Sequence, residues 1–460
     1  MSWMLARLQQ FADKTAFINH QQQVTYSELL EQIATWKNRL DEQNIEQGHV
    51  VAVIADYSPD SAALIIALLM RSAIVVPLTT ETQAKHKRFF ELANVQTCFT
   101  ATPMTDGCIN WQLTLVTPTH NHQLIGELQH SQEAGLVLFT SGTSGESKGA
   151  VLSATRILTR FENMAVNPDK ALRCLVFLKL DHIGGLNTLF SILFSGGTAV
   201  STYDRSAAEV CEVIERYQVQ LLPTTPTFLN MLLLSGLHQQ YDLSSLKVIT
   251  YGTEPMPMST LKSVCKVFPE VRLKQTYGLT ELGIFSTKSK SNDSDWVKIG
   301  GEGVATKVEN HILFIKTQTA MLGYLNAPSP FTADGWYNTG DRVEVDGDYY
   351  RILGRESEII NVGGEKVYPA EVESVLLEMP NVKEVLVQGK ANPVTGNIVL
   401  ATFVLEQPEE RKALYQRVVA HCQDQLEVFK VPKLVMISQN SFMSDRLKKS
   451  RKQTTKTTEA

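Results

Sequence analysis

The stretch from Val50 to Leu78 constrains the fold more than any other. It begins with VVAVIA, passes through a short polar segment, then reads SAALIIALLM and, after Arg71, AIVVPL. A short β-branched apolar run suits a buried strand. The longer run from Ser61 to Leu78 has to be either a membrane span or a buried helix feeding a buried strand. A span needs about 20 apolar residues with few charges, and Arg71 interrupts this one. The order strand, helix, strand is therefore expected, with a helix over 61–70 and a strand over 73–78. Similar alternation returns in Ala208–Leu222 and Leu246–Ile249, and Tyr26-SELLEQIATWKNRL carries apolar residues at helical spacing. Such alternation predicts an α/β fold with largely parallel sheets.

Two changes of texture follow. From Val304 to Asp348, short strand-like runs separated by Gly, Asn and Asp predict a small antiparallel β region. Beyond Gly354, a helix is expected at Ala370-EVESVLLEMP, framed by Pro369 and Pro380, with strands at Val382-KEVLVQGK and Ile398-VLATFVLE. This is the pattern of a separate α+β domain. The expected division is residues 1–354, a link at 355–358, a domain at 359–452 and a disordered tail at 453–460. At 460 residues and 43% hydrophobic content, the chain can bury several cores. Its formal net charge of −5 gives no support for a nucleic-acid partner. Six scattered cysteines without a C-x-x-C pair predict reduced thiols and no metal framework. The first residues lack the apolar stretch and cleavage site of a secretory signal, so a cytoplasmic protein is expected.

The segment Thr140-Ser-Gly-Thr-Ser-Gly-Glu-Ser-Lys-Gly149 follows the strand-like Leu136-VLF. Its glycines permit tight curvature, and backbone N–H groups in such a loop can converge on an anion. Thr140, Ser141, Gly142, Thr143, Ser144 and Gly145 form the predicted cradle, and Lys148 adds positive charge. The Walker order is absent, because Ser147 precedes Lys148 and Gly149 follows it. A flexible Ser/Gly linker is the simpler alternative, less suited to a strand-led loop that carries a lysine.

This loop resembles the signature of the adenylate-forming enzymes: acyl-CoA synthetases, adenylation domains and firefly luciferase. Further motifs follow in that family's order, in Tyr277-GLTE, Gly335-WYNTGD, Tyr350-RILGR and Gly363-GEKVYPAEVE. The resemblance covers Thr25 to Arg451. It implies a large N-terminal region of α/β subdomains with a β-barrel-like part, hinged to a small α+β C-terminal domain. It also implies that ATP, Mg²⁺ and coenzyme A take part in two half-reactions. A carboxylate first displaces pyrophosphate from ATP to give an acyl-adenylate, and a thiol then displaces AMP.

By the same resemblance, Tyr277 and Thr280 belong to the α-phosphate motif and Glu281 holds Mg²⁺, a hard cation that favours carboxylate and phosphate oxygens. Asp341 accepts hydrogen bonds from the ribose hydroxyls, Arg355 also reaches the sugar, and Gly252, Thr253 and Glu254 lie against adenine. Gly363 and Gly364 approach the thiol. Ser357 takes the hinge position. The adenylating lysine maps to Lys448 in Leu447-KKSR, where the usual preceding glycine is missing and Lys449 competes for the assignment. His182, in Leu180-DHIGGL, matches the acyl- and aryl-CoA ligase histidine. Amino-acid-activating relatives carry aspartate there, so a fatty or aryl acid is expected, although Asp181 keeps an amino acid open. The thiol is coenzyme A or the phosphopantetheine of an acyl-carrier protein. A nucleotide-binding relative with impaired adenylation is the third reading.

Overall fold

The computed structural model describes residues 1–19, 22–104, 109–118, 121–141, 146–443 and 449. Two seven-stranded sheets dominate the N-terminal region. The first has the order Gly323–Tyr324, Ser147–Ser153, Gly135–Ser141, Ile74–Leu78, Val50–Ile54, Thr97–Pro103 and Ile109–Leu115. The second has the order Arg272–Gln275, Val248–Tyr251, Leu221–Thr224, Arg173–Leu175, Thr198–Val200, Thr15–Asn19 and Gln22–Thr25. Both are parallel through their centres, the first antiparallel at both edges and the second at one.

Why the strand Val50–Ile54 is apolar throughout is visible in its packing. Val51 and Val53 face a core shared with the second sheet, whereas Val50, Ala52 and Ile54 face a separate core on the opposite side. Successive side chains of a strand alternate in direction, so burial of both faces demands a continuous apolar run. The helix Pro59–Met70 is buried over almost its whole surface between the two sheets. Ser58 and Ser61 form a reciprocal capping box, and Pro59 opens the first turn. Each of its large apolar side chains contributes about 1.5–3 kcal/mol by leaving water. No described helix is long and apolar enough to cross a membrane.

The antiparallel sheet is larger than expected. It starts at Ser286–Ser289 and ends at Tyr349–Arg355, and it includes Trp296–Gly300 as well as the strands between Ala305 and Asp346. After the single turn Glu356–Glu358, a five-stranded sheet and the helices Pro369–Leu376 and Arg411–Cys422 enclose their own core around Val385, Phe403 and Leu414. The helix expected over 370–380 is shorter, stopping at Leu376, with Met379 and Val382 then turned into that core.

Candidate active site

The anion loop is the connection of a β-hairpin. Gly135–Ser141 pairs antiparallel with Ser147–Ser153, and Thr140 stands opposite Lys148. Gly142, Thr143, Ser144 and Gly145 lie outside the described residues, as do the side chain of Ser141 and the whole of Lys448. The flank of the loop is held from a distance. Gly149 N–H donates to Asn326 Oδ1 at 3.0 Å, and Asn326 Nδ2 donates to the Ser147 carbonyl at 2.9 Å. Gly149 also marks a close approach, since a Cβ there would meet Phe139 and Leu325 at 3.0 and 3.1 Å.

Lys148 Nζ lies 5.1 Å from the centre of the Tyr324 ring, and the Tyr324 hydroxyl donates to Glu281 Oε1 at 2.5 Å. One aromatic side chain thus spans a cation and a carboxylate that are 133 positions apart in sequence. Thr280 and Glu281 sit at the turn between the short strands Gly278–Leu279 and Gly283–Ile284. Glu281 O accepts from Met321 N at 2.7 Å, which ties that turn to the segment preceding Tyr324. Tyr337 is hydrogen-bonded to Tyr324, and burial beside Glu281 raises both phenols well above their ordinary range.

Asp341 joins this group from the antiparallel sheet. Its Oδ2 accepts from the Tyr277 hydroxyl at 2.6 Å, and its Oδ1 lies 2.7 Å from Arg355 Nε. The two strands place Asp341 and Arg355 directly opposite each other. Burial raises the Asp341 pKa above the ordinary carboxylate value, while Arg355 and the Tyr277 hydrogen bond oppose that rise and Glu281 adds to it. Arg355 is pushed up in turn, first by Asp341. The expected residues Lys148, Tyr277, Glu281, Asp341 and Arg355 therefore share one electrostatic neighbourhood.

Gly252–Glu254 forms a second feature. Gly252 passes so close to Thr276 that a Cβ would lie 2.4 Å from its Oγ1. Thr253 adopts φ +72°, a left-handed backbone uncommon outside glycine. Glu254 Oε1 accepts from Thr227 N at 2.7 Å and Oε2 from Lys449 N at 3.0 Å. Gly363 and Gly364 make the turn between Ile360–Val362 and Glu365–Val367 at φ +60° and +95°, where glycine is the economical residue. The Gly363 backbone bond runs to Thr395 within the C-terminal sheet, and not to the Asp341 cluster.

His182 precedes the helix Ile183–Phe194, with Nε2 3.9 Å from Oδ1 of the buried Asp181. Side chains from both large sheets meet around it. The Tyr57 hydroxyl donates to Leu178 O at 2.6 Å, Lys179 pairs with Glu81 at 2.7 Å, and Arg205 binds both oxygens of Asp56 at 3.1 and 3.2 Å. These residues follow the carboxyl ends of their strands, where open α/β sheets bind ligands. Among the described residues there is no cluster of three or more His, Cys, Asp or Glu suited to a metal. Asn326, Tyr324 and the Lys449 contacts were not anticipated from sequence, and no local pattern marks them.

The AMP-binding enzyme family matches residues 5–319, and the AMP-binding enzyme C-terminal domain matches residues 371–449. The chain is 27% identical to a 2-succinylbenzoate–CoA ligase of Bacillus licheniformis, with 94% of each chain covered. It is 31% identical to an indoleacetate–CoA ligase of Aromatoleum aromaticum over 65% of this chain and 62% of that one. A crystal structure of an anthranilate CoA ligase in complex with anthranoyl-AMP shares the fold, with TM-score 0.81 and 20% identity over 97% of this chain and 95% of that one.

Proposed function

The chain belongs to the AMP-binding enzyme family, within the adenylate-forming superfamily, and from that premise we propose that it is an AMP-forming acid–thiol ligase. It activates a fatty or aryl carboxylic acid with ATP and transfers the acyl group to coenzyme A. The single observation that carries this reading is the continuity of the Lys148–Tyr324–Glu281 group with the Tyr277–Asp341–Arg355 group. That continuity supports a single site in which the proposed phosphate and ribose residues serve one nucleotide. Coenzyme A as acceptor is supported by relatives that are CoA ligases.

In the first half-reaction the substrate carboxylate attacks the α-phosphorus and the P–O bond to pyrophosphate breaks. A carboxylic acid is already ionised near neutral pH, so no general base is needed. The chain's contribution is positional and electrostatic. Lys148 offers positive charge beside the loop, Thr280 a hydroxyl for the α-phosphate and Asp341 an acceptor for the ribose. Lys448 is the proposed lysine that neutralises the approach of two anions. Magnesium would supply charge neutralisation on the phosphates when bound. Glu281 fits it, because Oε1 is occupied by Tyr324 while no partner takes Oε2 among the described residues. One carboxylate together with substrate phosphates is an ordinary donor set for this ion.

In the second half-reaction a thiolate attacks the acyl carbon, and AMP leaves from the C–O bond. A rotation about residues 355–358 would bring Gly363 and Gly364 toward the thiol. The isolated turn Glu356–Glu358 after the last strand of the N-terminal region supports this hinge. His182 in place of an aspartate favours an acid without an α-amino group. ATP–pyrophosphate exchange across fatty, aryl and amino acids tests the reading, followed by coenzyme A or an acyl-carrier protein as acceptor. Exchange with fatty or aryl acids and thioester formation with coenzyme A are expected. Absence of exchange with every acid would refute it.

A further inference from the structure

Lys449 is bound at both ends. Its backbone N–H donates to Glu254 Oε2 at 3.0 Å, and its Nζ lies 2.8 Å from Glu373 Oε2. Glu254 belongs to the N-terminal region, whose helix Pro226–Ser235 it caps through Thr227 N. Glu373 belongs to the helix Pro369–Leu376 of the C-terminal domain, and its side chain is only 4% exposed. Its other oxygen accepts from Val387 N at 2.9 Å, which fixes the carboxylate within the C-terminal sheet. One lysine therefore joins a carboxylate of each domain.

We propose that Lys449 is a positioning residue, a clasp that holds the two domains in the arrangement competent for adenylation. The proposal rests on the ligase reading for its kinetic part only. A buried carboxylate needs a cation or hydrogen bonds to offset its lost hydration, and Lys449 supplies the charge. The clasp works beside other contacts across the same seam. Met258 N donates to Ser374 Oγ at 3.1 Å, and Ser259 Oγ donates to Ser374 O at 3.3 Å. Those contacts seat the C-terminal helix on the start of the helix Met258–Val267. The Lys449–Glu373 ion pair lies within the C-terminal domain, and it sets the position from which the Lys449 backbone N–H crosses the seam to Glu254.

Two consequences follow from chemistry. First, an ammonium committed to a buried carboxylate at 2.8 Å is poorly disposed to serve a second anion, which separates Lys449 from its sequence neighbour Lys448 as the reacting group. Second, Glu254 follows Gly252 and the left-handed Thr253, the segment assigned to adenine. The clasp is thereby attached to the nucleotide side of the site, and domain position and nucleotide binding become coupled through two residues.

The test combines a distance with two rates. Cysteines are introduced at Tyr203 and Val394, which are 72% and 89% exposed and lie in different domains. Both carry fluorophores, with Cys108 and Cys265 replaced by serine, and energy transfer is read without any substrate. Lys449→Met is expected to shift the transfer distribution away from the wild-type value, and Lys449→Arg to keep it. Lys449→Met is also expected to slow ATP–pyrophosphate exchange by about tenfold or more through misplacement. Thioester formation from supplied acyl-adenylate should change less than exchange does. An unchanged transfer distribution in Lys449→Met, or equal slowing of both half-reactions, overturns the proposal. If Lys449→Met fails to fold, Glu373→Gln, which keeps an acceptor for Val387 N and removes the charge facing Lys449, carries the same measurements and the same criteria. A wild-type chain without exchange on any acid would refute the ligase reading instead, and the substrate-free distances would still decide the clasp.

Discussion

Arg355 Nε lies 2.7 Å from Oδ1 of Asp341, directly across the strand pair that closes the N-terminal region. The pair joins the proposed ribose acceptor to the first residue of the proposed hinge segment. Burial disfavours the Asp341 carboxylate, and Arg355 and Tyr277 only partly restore it.

The affinity for ATP should therefore fall on acidification earlier than an ordinary aspartate would cause. The sign follows from the raised pKa: protonation begins at a higher pH, and the neutral acid is a weaker acceptor for the ribose hydroxyls. KM for ATP is expected to rise as pH drops through that value. Asp341→Asn should flatten this acid limb and raise KM at neutral pH by roughly 10–100-fold, from about 1.5–3 kcal/mol for hydrogen bonds to a charged group. Steady-state kinetics from pH 8 down to the lowest pH at which the fold persists measure both effects. A wild-type KM independent of pH would count against the ribose assignment.

Asn326 should matter to ATP although it belongs to no recognised motif. It holds Ser147 and Gly149 by one accepted and one donated bond, on either side of Lys148. Each such bond is worth about 0.5–1.5 kcal/mol net. Asn326→Ala is expected to raise KM for ATP by roughly 5–100-fold, on the same scale, with a smaller change in KM for the acid. Asn326→Asp keeps the acceptor and loses the donor, so it should fall between the two. Equal loss for both substrates would indicate a general folding defect instead.

The contrast between Asp341 and Asn326 shows what was legible in sequence. Asp341, Arg355, Tyr277 and Glu281 sit in local motifs, so resemblance reached each by number. The parallel sheets were legible because burial of both strand faces leaves a continuous apolar signature at Val50–Ile54 and Ile74–Leu78. The extent of the antiparallel sheet was not, since Ser286–Ser289 reads as a polar run, STKS, and is a strand through its partner Trp296–Gly300. Asn326 and Tyr324 act across long sequence separations, and a single Asn or Tyr has no periodicity to reveal it. Lys449 was legible only as one of two adjacent lysines, and it is the folded contact with Glu373 that distinguishes it.

The Lys179–Glu81 pair predicts a stability effect confined to acid. Burial tends to raise the Glu81 pKa, but hydrogen bonding to Lys179 and neighbouring groups overcomes it and lowers the value to about 2. A depressed carboxylate pKa contributes stability above the unfolded value and loses it as pH falls through the folded one. Wild type should thus melt above Glu81→Gln at pH 7, and the gap should close from about pH 4.5 down to about 2. Glu81 is 43% exposed, so solvent screening keeps the gap small. Melting curves across that window check the sign, and a gap that widens with acidification would contradict the ion pair.

Gly185 gives a steric prediction beside His182. A Cβ at this position would lie 2.0 Å from the Lys179 carbonyl oxygen and 2.6 Å from the Tyr57 hydroxyl. Replacing glycine by alanine within a helix ordinarily gains about 1 kcal/mol. Gly126, inside the helix Gln123–Ser131, meets nothing within 4 Å and is the appropriate control. Gly126→Ala should raise the melting temperature, whereas Gly185→Ala should lower it, at a cost of about 1–3 kcal/mol or more for overpacking. Adding Tyr57→Phe removes only the hydroxyl contact and leaves the backbone oxygen in place, so it should not restore Gly185→Ala. Because the obstructing carbonyl also accepts from His182 N at 3.2 Å, the displaced turn should carry His182 with it and raise KM for the acid more than KM for ATP. Recovery of stability in the double variant would show that the tyrosine, and not the backbone, sets the limit.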